Sequence, residues 1–105
     1  MQGPPGPRNA RVLIELDGKI IGERPLNKST LTVGRLAGND VPIPNQMVSR
    51  LHAKIRQESG LWVIEDAESV NGLVYKGRRV TRHVFSEGDR VYIAPTAALR
   101  YKTTP

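Results

Sequence analysis

The sequence predicts an all-β fold, a sandwich or barrel of many short strands, on three observations. Turn-forming clusters recur along the chain, from Asp17-Gly18, Gly38-Asn39 and Ser59-Gly60 to Asn71-Gly72, Lys76-Gly77 and Glu87-Gly88-Asp89, and such residues tolerate the backbone angles that reverse a chain. The chain carries 10 Val, 7 Ile and 6 Thr, β-branched residues that suit a pleated strand better than a helix. No long window keeps a helical period without meeting Gly or Pro, so little or no helix is expected.

The elements follow in order. Residues 1–10 include Gly3-Pro4-Pro5-Gly6-Pro7-Arg8, which is too short a collagen-like run for a triple helix and is expected to be a flexible leader. Arg11 to Leu16 reads as a strand with Val12, Ile14 and Leu16 on one face, because side chains alternate along a strand. Ser29 to Val33 is a second strand. Leu36 to Arg50 is a long loop holding Gly38, Pro42 and Pro44, with Val41, Ile43, Met47 and Val48 its few core-type residues. Leu51, Ala53 and Ile55 alternate with His52, Lys54 and Arg56, and Leu61 to Asp66 and Arg90 to Ala94 are further strands. Ala67 to Gly72 is a second long loop, and its Asn71-Gly72 is a hairpin-type turn signal. The domain is expected to span 11–102, with 103–105 a frayed tail or linker start.

Length and composition bound the function. With 105 residues, 38% hydrophobic and 25% charged, the chain has room for one globular domain. The absence of cysteine removes disulfides, thiolate metal sites and cysteine nucleophiles, and fits a reducing, cytoplasmic setting. Apolar runs such as Val12-Leu13-Ile14 are broken by charge far short of the ~20 residues that span a bilayer, and no secretory signal is recognisable. The net charge of +6, with 11 Arg against 5 Lys by count, points to an acidic partner. Guanidinium forks favour discrete oxyanions over diffuse ones.

Three motifs sit where loops leave strands. Gly34-Arg35 follows the Ser29–Val33 strand; the glycine ends it and the arginine projects a fork of donors. Ser49-Arg50-Leu51-His52 closes the first long loop and places a hydroxyl beside a guanidinium, as a tetrahedral phosphate requires. A nucleophilic reading of Ser49 with His52 and Asp66 lacks a glycine-flanked elbow and an oxyanion hole, so His52 is expected to be a hydrogen-bonded structural residue. Asn71 offers both a donor and an acceptor, the pair that clasps an extended peptide backbone.

In this order the motifs resemble the forkhead-associated (FHA) domain family, whose pattern is Gly-Arg, Ser-x-x-His and Asn-Gly. The resemblance covers about Arg11 to Lys102. It implies a β-sandwich of two twisted, mostly antiparallel sheets with about eleven strands, and a non-enzymatic site for phosphothreonine peptides in loops at one end. Arg35, Ser49 and Arg50 would then contact the phosphate, and Asn71 the peptide backbone just after the phosphothreonine. Ser69 would help the phosphate or brace its loop. Gly34, His52 and Gly72 would shape the loops, and a small apolar recess would take the threonine methyl beside Ser49 and Asn71. Leu73 departs from the family, where many members have Thr. The expected partner is a phosphothreonine-containing protein in Ser/Thr kinase signalling. Neither cofactor, metal nor membrane is expected, and the chain is expected to be a monomer.

The remaining cluster, Lys76, Arg78, Arg79, Arg82 and His83, has no acidic residue between Tyr75 and Phe85. As a nucleic-acid patch it lacks interleaved aromatic stacking platforms; a solvated loop that steers acidic flanking sequences is the expectation. A basic domain binding nucleic acid or other polyanions is the alternative function.

Overall fold

Two-residue turns set the hairpins from which the fold is built. Asp17-Gly18, Ser59-Gly60 and Lys76-Gly77 have φ of 53 and 78°, 52 and 80°, and 51 and 79°. Positive φ at both residues is type I′ geometry, whose twist matches that of the strands it joins. In the computed structural model, which describes residues 10–104, these turns join β1 (Arg11–Leu16) to β2 (Lys19–Pro25), β5 (Ala53–Glu58) to β6 (Leu61–Asp66) and β7 (Leu73–Tyr75) to β8 (Arg78–Val80). β3 (Thr30–Gly34), β4 (Val41–Pro42), β9 (Arg82–Val84), β10 (Arg90–Ala94) and β11 (Ala97–Lys102) bring the strands to eleven.

They form two separate sheets, ordered β2-β1-β11-β10-β7-β8 and β4-β3-β5-β6-β9. The fold is therefore a sandwich and not a barrel. Every paired strand is antiparallel except β4, which runs parallel to β3 through Val33↔Val41 and Gly34↔Pro42. Among the described residues there is no helix, hence none long and apolar enough to cross a membrane. The inner faces supply the core: Val12, Ile14, Leu31, Ile55, Ile64, Leu73, Ile93 and Leu99 are all at most 2% exposed. Burying each such side chain contributes about 1.5–3 kcal/mol.

Several sequence expectations are corrected. Leu51 does not join Ala53 and Ile55 on the inward face. The strand starts at Ala53 after a bend, so Leu51 is 42% exposed while His52 is fully buried. Met47 is also exposed, although Val41, Ile43 and Val48 are buried. The long loop contains β4, too short to announce itself by alternation. Asn71-Gly72 is not a hairpin turn: β6 and β7 lie in different sheets, and of the pair only Gly72 takes positive φ. The leader expected over 1–10 lies outside the described residues except for Ala10, which is buried and whose carbonyl accepts from Leu26 N–H at 2.9 Å. At the other end Lys102 belongs to β11, and Thr103 donates its N–H to Glu87 Oε1 at 2.9 Å. Pro105 lies outside the described residues.

One part-buried carboxylate ties the two sheets together. Asp89 accepts from Tyr75 OH of β7 at 2.9 Å, from His83 Nε2 of β9 at 2.7 Å and from Ser86 N–H at 2.8 Å. Burial pulls the Asp89 carboxyl up, but the bonds from His83, Ser86 and Tyr75 outweigh it and hold it below its ordinary value. A folded value below the unfolded one means stabilisation that is present above about pH 4 and lost as pH falls through the lowered value. Asp89→Asn is therefore expected to cost about 1–3 kcal/mol at neutral pH. Urea melts should show the gap to wild type closing as pH falls from about 4 to 2; a gap independent of pH would contradict this.

Candidate functional site

His52 joins two loops that the chain order separates. It is fully buried, its Nδ1 accepts from Ser49 N–H at 3.1 Å, and its Nε2 donates to the Gly72 carbonyl at 2.8 Å. Accepting at Nδ1 places the ring proton on Nε2, so one tautomer serves both bonds. The backbone of His52 also joins in: its N–H donates to Val33 O at 2.8 Å and its carbonyl accepts from Ala67 N–H at 2.9 Å. The end of β3, the Ser49 loop and the loop from Ala67 to Gly72 thus meet at one buried residue.

Gly34 makes this meeting close. A Cβ there would stand 2.8 Å from the Arg50 carbonyl carbon and 2.8 Å from Asn39 Nδ2, so no larger residue fits. Asn39 in turn donates to Leu36 O and to Arg50 O, each at 2.9 Å. Asp40 accepts from Thr32 N–H at 2.9 Å and pairs with Lys28 at 2.6 Å. The Lys28 contact first, and the Thr32 amide after it, hold its carboxyl below the ordinary range. Arg35, the next residue after Gly34, donates its backbone N–H to Ser49 O at 3.0 Å and its Nε to Val48 O at 3.1 Å. Its guanidinium is thereby aimed by backbone acceptors, and its terminal nitrogens have no partner among the described residues.

On the second loop Asp66 and Ser69 form a brace. Ser69 is 9% exposed; its hydroxyl donates to Asp66 Oδ1 and accepts from Gly72 N–H at 2.8 Å. Of the two roles expected for Ser69, the geometry supplies loop bracing, with its hydroxyl proton already committed. Ser49 differs, because its Oγ accepts from Val70 N–H at 3.1 Å and keeps its proton for a ligand. Asn71 donates Nδ2 to Met47 O at 2.6 Å, which leaves its Oδ1 to accept.

The result is an open groove of about 330 Å³ that brings Arg35, Ser49 and Asn71 together with Gln46, Met47, Val48 and Val70. No carboxylate among the described residues lines it. Arg50 is exposed, and neither it nor Ser69 is among the lining residues. Gln46, Met47 and Val70 carry no motif and were missed from sequence; so was the bracing role of Asp66. The groove can present a fork and a hydroxyl to a tetrahedral anion, with apolar side chains alongside.

Two other chemistries lose their geometry. Both His52 ring nitrogens are engaged by Ser49 N–H and Gly72 O, so neither is available as a base for the Ser49 hydroxyl, and Asp66 serves Ser69 instead. The basic cluster is not one loop: Arg78 and Arg79 stand on β8 of one sheet, Arg82 and His83 on β9 of the other. Arg82 pairs with Glu58 and Glu65, which also pair with Arg56 at 2.9 and 2.6 Å. That ring neutralises its own charge, and His83 is bound to Asp89.

Gly34→Ala is expected to destabilise the domain by at least about 2 kcal/mol, because the new methyl meets backbone and not a flexible side chain tip. Gly38→Ala, where a Cβ meets nothing within 4 Å, is the matched control and should stay within about 0.5 kcal/mol of wild type. Equal urea midpoints for the two variants would show that the close approach at Gly34 does not hold the site.

Comparison with known proteins fits this geometry. The family model of the FHA domain matches residues 31–94. The oxoglutarate dehydrogenase inhibitor of Corynebacterium diphtheriae is 33% identical over 88 residues, which are 83% of this chain and 62% of the inhibitor. The chain spans less than two thirds of the length of the curated relatives it matches here. Among solved structures, the Slr1951 protein of Synechocystis superposes with a TM-score of 0.82 at 30% identity, over 91% of this chain and 96% of that one. Mycobacterium tuberculosis EmbR, solved in complex with a low-affinity phosphopeptide, superposes with a TM-score of 0.76 at 26% identity, over 90% of this chain and 24% of that one. With the Gly34-Arg35, Ser49-x-x-His52 and Asn71-Gly72 loops gathered at one end of a two-sheet sandwich and the family model matched across them, the chain belongs to the FHA domain family.

Proposed function

We propose that this domain binds phosphothreonine segments of partner proteins, without catalysing a reaction, and so links the protein that carries it to targets of Ser/Thr kinases. The observation that carries this reading is the groove itself. It combines a backbone-aimed guanidinium, a hydroxyl with its proton unspent and no carboxylate. A phosphothreonine brings roughly −1.5 to −2 charges and three acceptor oxygens. Arg35 and Ser49 meet the phosphate directly, and Arg50 adds a second cation. Asn71, anchored through Nδ2 to Met47 O, accepts with Oδ1 from a peptide N–H just after the phosphothreonine. Met47, Val48 and Val70 supply an apolar wall for the threonine methyl.

Beside Asn71 lies a larger, mainly apolar cleft of about 410 Å³, with Val74, Tyr92, Ile93 and Pro95 in its lining. It adjoins the residue assigned to the downstream backbone, so it receives an apolar side chain further along the same peptide. EmbR, solved with a phosphopeptide, supports the same ligand class. The oxoglutarate dehydrogenase inhibitor and the glycogen accumulation regulator GarA of Mycolicibacterium smegmatis, 32% identical over 88 residues, support a regulatory role in the cytoplasm.

Calorimetry separates this reading from attraction by charge alone. A phosphothreonine peptide should bind at least about tenfold more tightly than its phosphoserine twin, the worth of one methyl in an apolar recess. The unphosphorylated peptide should show no detectable binding. Arg35→Ala should cost about 2–5 kcal/mol, with Arg35→Lys a poor substitute because an ammonium lacks the fork. Equal affinity for the two phosphopeptides would reduce the groove to a generic anion site.

A further inference from the structure

Arg35 also lines a second groove, which shares no other lining residue with the first. It has a volume of about 270 Å³ and is lined by Ile21, Gly22 and Arg24 of β2 facing Ala37, Pro42 and Pro44 of the long loop. It lies where β2, the edge of one sheet, faces β4, the edge of the other. Ile21 is 50% exposed there, and no carboxylate among the described residues lines the groove. Arg24 donates Nη1 to the Glu23 carbonyl at 3.0 Å and folds over Gly22. A Cβ at Gly22 would stand 3.9 Å from that nitrogen and 3.9 Å from Ile14 Cδ1. The missing side chain at Gly22 therefore leaves the space open, and Gly22 does not take a positive φ.

We infer that this groove takes the residues preceding the phosphothreonine in the partner chain and selects an apolar side chain with an acidic neighbour. The inference rests on the phosphothreonine assignment above. Asn71 holds the backbone that follows the phosphothreonine, and Arg35 stands between the two grooves. The chain running the other way from the phosphate therefore passes Arg35 into the β2 groove. The occupant is fixed by that continuity and by charge: Ile21, Ala37, Pro42 and Pro44 offer apolar contact, while Arg24 and Arg35 are cations without a carboxylate beside them in the groove. A partner segment of this chemistry meets both.

The test uses two phosphothreonine peptides identical from the phosphothreonine onward. One carries a Leu-Glu pair scanned through the preceding positions, the other Gly-Ser. Titrated into the full chain, the Leu-Glu peptide at its best position should bind about tenfold tighter, the gain from burying one aliphatic side chain in part. Gly22→Leu fills the groove through ordinary contacts and should bring the two peptides to equal affinity while leaving the Gly-Ser peptide unchanged. Arg24→Gln should erase the preference for Glu over Gln next to the leucine and keep the leucine gain. Equal binding of the two peptides to wild type at every position overturns the inference, as does a gain that survives Gly22→Leu or a Glu preference that survives Arg24→Gln. A chain lacking residues 1–9 that gains affinity for the Leu-Glu peptide alone would show the groove to be filled by its own leader, and overturns the choice of occupant. If neither phosphopeptide binds, the phosphothreonine assignment itself fails and takes this inference with it.

Discussion

The site depends on a buried imidazole with one tautomer and two loop partners. His52 accepts from the Ser49 amide and donates to the Gly72 carbonyl, and a buried polar group left without either partner costs about 1–3 kcal/mol. The two loops are thus locked to each other by the penalty for separating them. Three residues of the groove are placed around this point: Arg35 through the Ser49 and Val48 carbonyls, Ser49 through its own amide, Asn71 through the adjacent Gly72 and the Met47 carbonyl. A ligand then meets donors already in position, and less of its binding free energy goes into ordering loops.

The distribution of charge has the same effect. Several carboxylates are held elsewhere against cations of their own. Glu15, only 7% exposed, lies between Arg90 at 2.8 Å and Arg100 at 3.6 Å. Glu58 and Glu65 share Arg56 and Arg82, and Asp89 is bound to His83. Asp66, at the start of the loop that carries Asn71, is engaged by the Ser69 hydroxyl and amide. Arg35 keeps its terminal nitrogens for a ligand because no acid is placed to take them.

Much of this was legible in the sequence, and the remainder was not for physical reasons. The all-β class followed from turn spacing and β-branched composition, and the strand over β1 from the alternation of Val12 and Ile14. β2 escaped because it is an edge strand exposed at nearly every position, so it has no inward face to print an alternating pattern. β4 escaped because two residues cannot show a period. Gly34, Arg35, Ser49, His52 and Asn71 were legible as an ordered set of motifs. The role of Ser69 was open, because a hydroxyl's partner depends on how its loop folds, and here Asp66 takes it. The basic run from Lys76 to His83 read as one patch only because sequence neighbours on β8 and β9 belong to different sheets.

The most direct test of the central claim is an amide and side-chain nitrogen chemical-shift map of the domain during titration with a phosphothreonine peptide. The account predicts the largest changes at the Arg35 guanidinium, Ser49, Arg50 and Asn71, drawn from loops that meet at the buried His52, with the His52 ring keeping its proton on Nε2 throughout. Changes centred on Arg78, Arg79 and Arg82, with the Arg35 and Asn71 signals unmoved, would contradict it.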